Sequence, residues 1–495
     1  MASPSCVLVL DQGSTSSRAV LYDRAGKIVF LQATAVETML PAPDRVEHSP
    51  AALFDSQIRA LSGARSWLGK GGERQIAAIG IANQRSTFLL WDRRTGRPLT
   101  RAISWQDRRG ADSVIEMERH QEWIRKRTGL RLNPHSTIGK LRWVLRHVAG
   151  ARKKAQAGDL LFGTVNTYLI WRLTGGTVHA TDHVNASRTL MMNLRGRTWD
   201  PDLLSLFGIP PAILPRILPT SAPYGEAAIG RSAVPILASI GDQQASLCGQ
   251  GGFQAGHLAL TYGTGGFLLL NIGQRPQRRT SLLSTVAWSS GKGIRYGLEG
   301  TVNAVGSAIA WLKSLGWISR AEEVDALCDA SREEIAFVPS LSGLGSPYFR
   351  PLETALFGLK RTTTRADVVR GLMAGIAHLM KDNYDRMIRE RRAPPRTITA
   401  GGGVARSRWL LQFQADLFGR EIGLSNVSET TSRGAAYLAG LECGFWKSLE
   451  SLDRLNRPAR RFRPKLSSRE AREKHSRWQR ALELAGRWSG GTPRS

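Results

Sequence analysis

Five short apolar runs, each stopped abruptly by small polar residues or glycine, place the tightest limit on how this chain can fold. Residues 6–10 (CVLVL) stop at Asp11-Gln12-Gly13, and strand character resumes at 17–22 (SRAVLY). This predicts two strands joined by a tight turn, DQGSTS. Residues 76–82 (IAAIGIA) stop at Asn83-Gln84-Arg85-Ser86, and 234–240 (VPILASI) stop at Gly241-Asp242-Gln243-Gln244. Residues 257–261 (HLALT) run into Tyr262-Gly263-Thr264-Gly265-Gly266, and 397–399 (TIT) into Ala400-Gly401-Gly402-Gly403. Helical patterns lie between and after them, at 121–127, 139–147, 366–387, 409–418 and an Arg-rich 467–487. Alternating strands and helices predict α/β layers rather than an all-β fold or a helix bundle. In such folds the strand ends carry the ligand-binding groups. The Gly-rich stretch 249–256 predicts a boundary, with units at 1–249 and 250–465 and a basic C-terminal helix or tail at 466–495.

Composition narrows the partners. With 42% hydrophobic residues the chain can bury full cores. Its 69 Lys+Arg against 40 Asp+Glu give a formal charge of +29, which favours polyanions: nucleic acid, anionic membrane or phosphorylated metabolites. The excess is dispersed, with 32 basic and 19 acidic residues in 1–250 and 37 and 21 in 251–495. That dispersal, without a nucleic-acid motif, argues against nucleic acid. Only 451–495 is locally dense, with 13 basic and 4 acidic residues. Cys6, Cys248, Cys328 and Cys443 form no CxxC pair, so neither a zinc site nor a disulfide framework is expected. No apolar stretch suits a signal peptide or a membrane span, and the expected setting is cytoplasmic.

The turns supply the candidate chemistry. In Asp11–Ser16 a carboxylate, a glycine and three hydroxyl side chains suit a metal–phosphate pair, although ordinary hairpin turns use the same residues. Residues 262–266 and 400–403 can cradle phosphate or lie close to a flat ligand, or can be plain connections. Asp242, at a strand end beside two amides, is a candidate general base or a turn-capping carboxylate. Trp105 in Ser104-Trp105-Gln106-Asp107-Arg108-Arg109 can wall the carbon face of a polyol or fill a core. The chain has neither GxGxxG nor GxxxxGK[ST], so the common dinucleotide and P-loop signatures are missing.

Taken in order, the segments resemble one family nearly end to end. They are VLDQGSTSSRAV (9–20), RVEHSP (45–50), AAIGIANQR (77–85), SWQDRR (104–109), LLFGTVNTYLIWRLTGG (160–176) and TDHVNASRT (181–189), followed by GDQQASLCGQ (241–250), TYGTGGF (261–267), SGLGSPYF (342–349), GGGVA (401–405) and SRGAAYLAG (432–440). Together they resemble the FGGY carbohydrate kinases, and within them the glycerol kinases. The resemblance implies two ribonuclease-H-like domains of the actin/hexokinase/Hsp70 type flanking a nucleotide cleft. It implies ATP-dependent phosphorylation of a polyol or sugar hydroxyl, with glycerol to sn-glycerol 3-phosphate as the default, and a homo-oligomer (dimer or tetramer). By the same likeness Asp11 holds Mg²⁺, and Ser14, Thr15, Ser16 and Arg18 line the phosphate side. Thr264 and Gly306 meet the nucleotide phosphates and Gly403 the adenosine, with Ser407 also among the nucleotide-binding residues. Asp242 takes the proton of the substrate hydroxyl, and Arg85, Ser86, Trp105, His135, Gln243 and Phe267 shape the polyol pocket.

The departures carry their own expectations. Ser86 stands where glycerol kinases have Glu, and His135 where they have Tyr. Losing hydroxyl-binding partners predicts a substrate larger than glycerol or differently hydroxylated. The alternatives are a tetritol, ribulose or xylulose kinase, or a catalytically weak ligand-sensing paralogue. Ala310, Gly401 and Ser407 replace the usual Gln, Asp and Asn on the nucleotide side. Residues 228–234 (AIGRSAV) lack the longer Gly-rich loop by which bacterial glycerol kinases bind fructose 1,6-bisphosphate, so that control is expected to be absent.

Overall fold

The continuous apolar run near the N-terminus becomes strand Cys6–Gln12, buried at every position because it lies inside a sheet covered on both faces. The computed structural model of the chain describes residues 5–277 and 280–489. Cys6–Gln12 pairs antiparallel with Ser16–Asp23, which pairs antiparallel with Ile28–Ala35. On its other side it runs parallel to Ile76–Asn83, which runs parallel to Ser232–Gly241. Glu226–Ile229 closes this six-stranded sheet through a hairpin in which Ile229 faces Ser232. Ile28–Ala35 lies at the opposite edge, and its burial alternates residue by residue.

The second half repeats that order. His257–Tyr262 pairs antiparallel with Gly266–Gly273, which pairs antiparallel with Gly293–Val302. Its other neighbour is the parallel strand Thr397–Gly401, followed by the parallel Ile422–Leu424. Leu283–Ser290 and Arg460–Phe462 complete seven strands. Two mixed sheets with the same hairpin-plus-parallel plan form the duplicated α/β architecture expected from the sequence. A further five-stranded sheet, Met39–Ala42, Arg45–His48, Ala102–Ile103, Phe88–Asp92 and Leu160–Thr164, belongs to the first half and was not anticipated. Its strands are two to five residues long, so no single one stands out by periodicity.

The halves meet across two helices. Asp242–Gly249 leaves the end of Ser232–Gly241, and Thr430–Glu442 crosses it at glycine. A Cβ on Gly434 would lie 1.8 Å from the carbonyl oxygen of Ala245, and one on Gly249 1.9 Å from that of Thr430. Only bare backbone permits this approach. One apolar core runs through the seam, joining Val7, Val9 and Ala78 to Ala435, Tyr437 and Leu438.

The basic C-terminal segment forms helix Ser468–Trp488, opened by a capping box between Ser467 and Glu470. Its apolar face docks on the second half, where Trp478 Nε1 donates to the carbonyl of Phe337 at 2.9 Å. Lys474 and Arg477 pair with Glu334. Residues 490–495 of the expected tail lie outside the described residues.

Candidate active site

Both sheets end their first strand in a tight hairpin turn, of four residues in the first half and three in the second. In the first turn Gly13 N donates to Ser16 O at 2.9 Å, and in the second Gly263 N donates to Gly265 O at 2.9 Å. The first turn carries side chains and the second carries backbone. Asp11 closes the first strand, 3% exposed, with Arg18 Nη1 3.4 Å from its Oδ2. Arg18 also reaches Glu429, the residue before Thr430–Glu442, at 3.7 Å. Burial pushes the Asp11 carboxyl up to about 7, with Arg18 opposing and the like charges of Glu429 and Asp242 adding to the rise. This excess of negative charge suits a hard cation with oxygen ligands. Among the described residues no three His, Cys, Asp or Glu side chains gather into a ready-made metal site. One carboxylate is enough for a Mg²⁺ that shares its remaining ligands with phosphate and water.

Asp242 begins helix Asp242–Gly249, so its side chain stands at the strand end and at the seam. Arg85 Nε lies 3.0 Å from Asp242 Oδ1, and the backbone N–H of Gln243 donates to the same oxygen at 2.7 Å. Burial raises the Asp242 carboxyl above the usual carboxylate range, against the pull of Arg85. The Gln243 Oε1 atom is buried and has no hydrogen-bond donor, an acceptor suited to a ligand hydroxyl. Phe267, from the second half, packs against Arg85, with 5.7 Å between the guanidinium carbon and the ring centroid.

Trp105 is 42% exposed and so does not fill a core. Its Nε1 donates to Ser14 Oγ at 3.0 Å, and Ser14 donates to Gln84 Oε1 at 3.0 Å, linking the ring to the first turn. Lys140, fully buried, donates to Ser104 O at 2.7 Å and fixes the segment that carries Trp105. Burial brings its ammonium down to about 7. Ser86 takes φ +67°, a left-handed conformation, and its carbonyl accepts from Thr137 Oγ1 at 3.1 Å. His135 Nδ1 lies 3.1 Å from Gln106 O. Loss of hydration, with Lys140 and Arg108 nearby, holds its imidazole below the ordinary value.

On the opposite side, Thr264 O accepts from Val305 N at 3.1 Å and Ser307 N at 3.2 Å, docking helix Gly306–Ser314 on the second turn. A Cβ on Gly306 would lie 2.6 Å from Gly263 O, so glycine is required there. Gly403 starts a short 3₁₀ turn and has open space where a side chain would stand. Ser407 is engaged elsewhere: its hydroxyl accepts from Leu410 N as the cap of Arg408–Phe418 and donates to Asp325. Thr15 and Ser16 serve the first turn through their carbonyls, which accept from Val36 N and Gly13 N, both at 2.9 Å.

Four residues escaped the sequence reading: Glu299, Arg188, Glu429 and Lys140. Glu299 is 0% exposed, and its Oε2 lies 2.6 Å from Arg85 Nη1. Its only sequence signal is a lone acid inside an apolar strand, Gly293–Val302. Arg188 lies inside the TDHVNASRT segment but nothing in it singles that residue out, and Glu429 and Lys140 are drawn to the site by tertiary contacts.

Known proteins similar to the chain share its division into two domains. The N-terminal domain of the FGGY family of carbohydrate kinases matches residues 6–249, and its C-terminal domain matches 258–443. "Glycerol kinase 2" of Thermotoga maritima is 41% identical over 491 residues, covering 97% of this chain and 99% of its own. The glycerol kinase of Bacillus licheniformis is 38% identical, covering 97% and 98%. The crystal structure of Plasmodium falciparum glycerol kinase with ADP superposes with a TM-score of 0.91 at 31% identity, over 98% of this chain and 99% of that one. The chain belongs to the FGGY family of carbohydrate kinases. It is an ATP-dependent phosphotransferase acting on a polyol or sugar hydroxyl. Among the described residues no helix is long and apolar enough to cross a membrane.

Proposed function

We propose that the chain phosphorylates glycerol, forming sn-glycerol 3-phosphate, with Asp242 as general base. The observation that carries this reading is Asp242 at the seam, held by Arg85 at 3.0 Å beside the unpartnered Gln243 Oε1. A hydroxyl placed against Asp242 gives up its proton as it attacks the γ-phosphorus of ATP in line. Gln243 Oε1 accepts from a neighbouring hydroxyl, and Trp105 covers the carbon face, with Ser86, His135 and Phe267 at the margins. Ser14, Thr15, Ser16 and Arg18 border the phosphates on one side. Thr264 and Gly306 border them on the other, and Gly403 leaves room for the adenosine.

Asp11 would hold Mg²⁺, whose bound charge offsets that of the transferring phosphoryl group. Ser407 is not needed as a direct contact, since its hydroxyl caps a helix and pairs with Asp325.

Glycerol is favoured over a tetritol or ketose because the relatives of 38–41% identity bear the name glycerol kinase. The same reading places the chain in the cytoplasm as a homo-oligomer. It divides the chain at 249/250, with the terminal helix from 466 as an appendage. An ATPase-coupled comparison of glycerol, erythritol, dihydroxyacetone, ribulose and xylulose tests the substrate. Glycerol is expected to give the highest kcat/KM, and a pentulose or tetritol preference, traced to Ser86 and His135, would overturn it.

A further inference from the structure

Glu299 comes from the second half, whereas Arg85 follows a strand of the first, and their side chains meet inside the wall of the site. Arg85 presents Nη1 to Glu299 Oε2 at 2.6 Å and Nε to Asp242 Oδ1 at 3.0 Å. One planar guanidinium is thus divided between two carboxylates, and its fork geometry fixes the plane. Arg188 Nη1 lies 3.8 Å from Glu299 Oε1, close enough for attraction but not hydrogen-bonded. Two carboxylates and two guanidiniums therefore balance in one cluster, with Glu299 buried and Asp242 partly exposed.

We propose that Glu299 is a positioning residue: by holding Nη1 of Arg85, with Gln244 Oε1 at 3.3 Å from the same atom, it fixes the guanidinium so that Arg85 meets Asp242 through Nε alone and not bidentately. The proposal rests on the kinase reading above. A carboxylate held by a bidentate guanidinium loses proton affinity and becomes a poorer base. With Glu299 in place, Asp242 receives a single N–H from Arg85 and one from the Gln243 backbone. Burial alone would raise the Glu299 carboxyl, but Arg85 and Arg188 outweigh it and keep it ionised. The other charged groups facing Asp242 are Arg188, which favours its ionised form, and Glu299 and Asp11, which oppose it. Because Glu299 belongs to the second half, the arrangement also ties the orientation of the base to the approach of the two halves.

The test compares full-length wild type, Glu299→Gln, Glu299→Asp and Arg188→Gln. It measures kcat and kcat/KM for glycerol from about pH 5 to 9 at saturating Mg·ATP, with melting curves to confirm folding. Glu299→Gln should lower kcat about ten-fold and move the acid limb down by about one pH unit, as Arg85 turns fully onto Asp242. Glu299→Asp should restore much of the rate and return the limb toward wild type. Arg188→Gln should move the limb the other way, because a cation is lost beside Asp242. Rate loss in Glu299→Gln with an unmoved limb would mean a purely structural role and overturn the proposal, as would an unchanged enzyme. Should Glu299→Gln fail to fold, Glu299→Asp decides: a partly lowered rate with the limb moved part of the way down supports the proposal, since the shorter carboxylate releases Arg85 in part, and an unchanged enzyme or a lowered rate with an unmoved limb defeats it. A wild type inert toward every polyol would instead defeat the kinase reading, and the proposal with it.

Discussion

The two halves share a sheet plan but divide the chemistry. The first half brings side chains to the cleft: Asp11, Ser14, Arg18, Arg85 and Trp105, with Asp242 at its seam. The second half brings mainly backbone, through the Gly263–Gly266 turn, Gly306 and Gly403, with Glu299 and Phe267 as its two notable side chains at the polyol end. A polyol is recognised by a few directional bonds and an apolar face, which needs chosen side chains. A triphosphate is recognised by many donors at close range, which backbone supplies when no Cβ intervenes. On the proposed reading, one architecture used twice would meet the polyol mainly with side chains of the first half and the nucleotide mainly with backbone of the second, with the first turn and Asp11 shared at the phosphates.

That division can be broken from either side. Asp242→Asn should have the largest effect, lowering kcat roughly a thousand-fold while leaving the KM for ATP near wild type. Steady-state rates at varied ATP check both parts, and a large rise in the ATP KM would show that Asp242 also holds the nucleotide. Gly306→Ala comes next. Its Cβ would stand 2.6 Å from Gly263 O and push the second turn out of place. The expected result is about a ten-fold rise in the KM for ATP with the glycerol KM little changed. The smallest expected effect is none at all. Residues Glu226–Ile229 and Ser232–Gly241 are joined directly at Gly230-Arg231, leaving no long anion-binding loop. Activity should therefore be unaffected by millimolar fructose 1,6-bisphosphate, and inhibition would mean that the anion binds elsewhere on the chain.

Much of this was legible in the sequence because the chemistry sits where strands end. CVLVL before Asp11 and VPILASI before Asp242 each mark a buried strand, and the polar cluster that stops it marks the cleft. The expected strands lie within observed ones, and the five expected helical segments lie within observed helices or, at 467, begin at the cap. Glu299 and Lys140 were not legible, because each lies within a regular element and reaches the site only through packing. Ser407, expected on the nucleotide side because it stands where the family has Asn, also serves the fold: its hydroxyl caps Arg408–Phe418 and pairs with Asp325. The charge of +29 also reads differently once folded. Lys474 and Arg477 in the dense terminal segment pair with Glu334 and help hold the last helix to the second half.

Phosphorus-31 resonance of the purified chain with Mg·ATP and glycerol tests the central claim most directly. The account predicts that sn-glycerol 3-phosphate and ADP appear in equal amounts, without accumulation of inorganic phosphate, and that both cease to form in Asp242→Asn. ADP with free phosphate, or unchanged product from the variant, would contradict it.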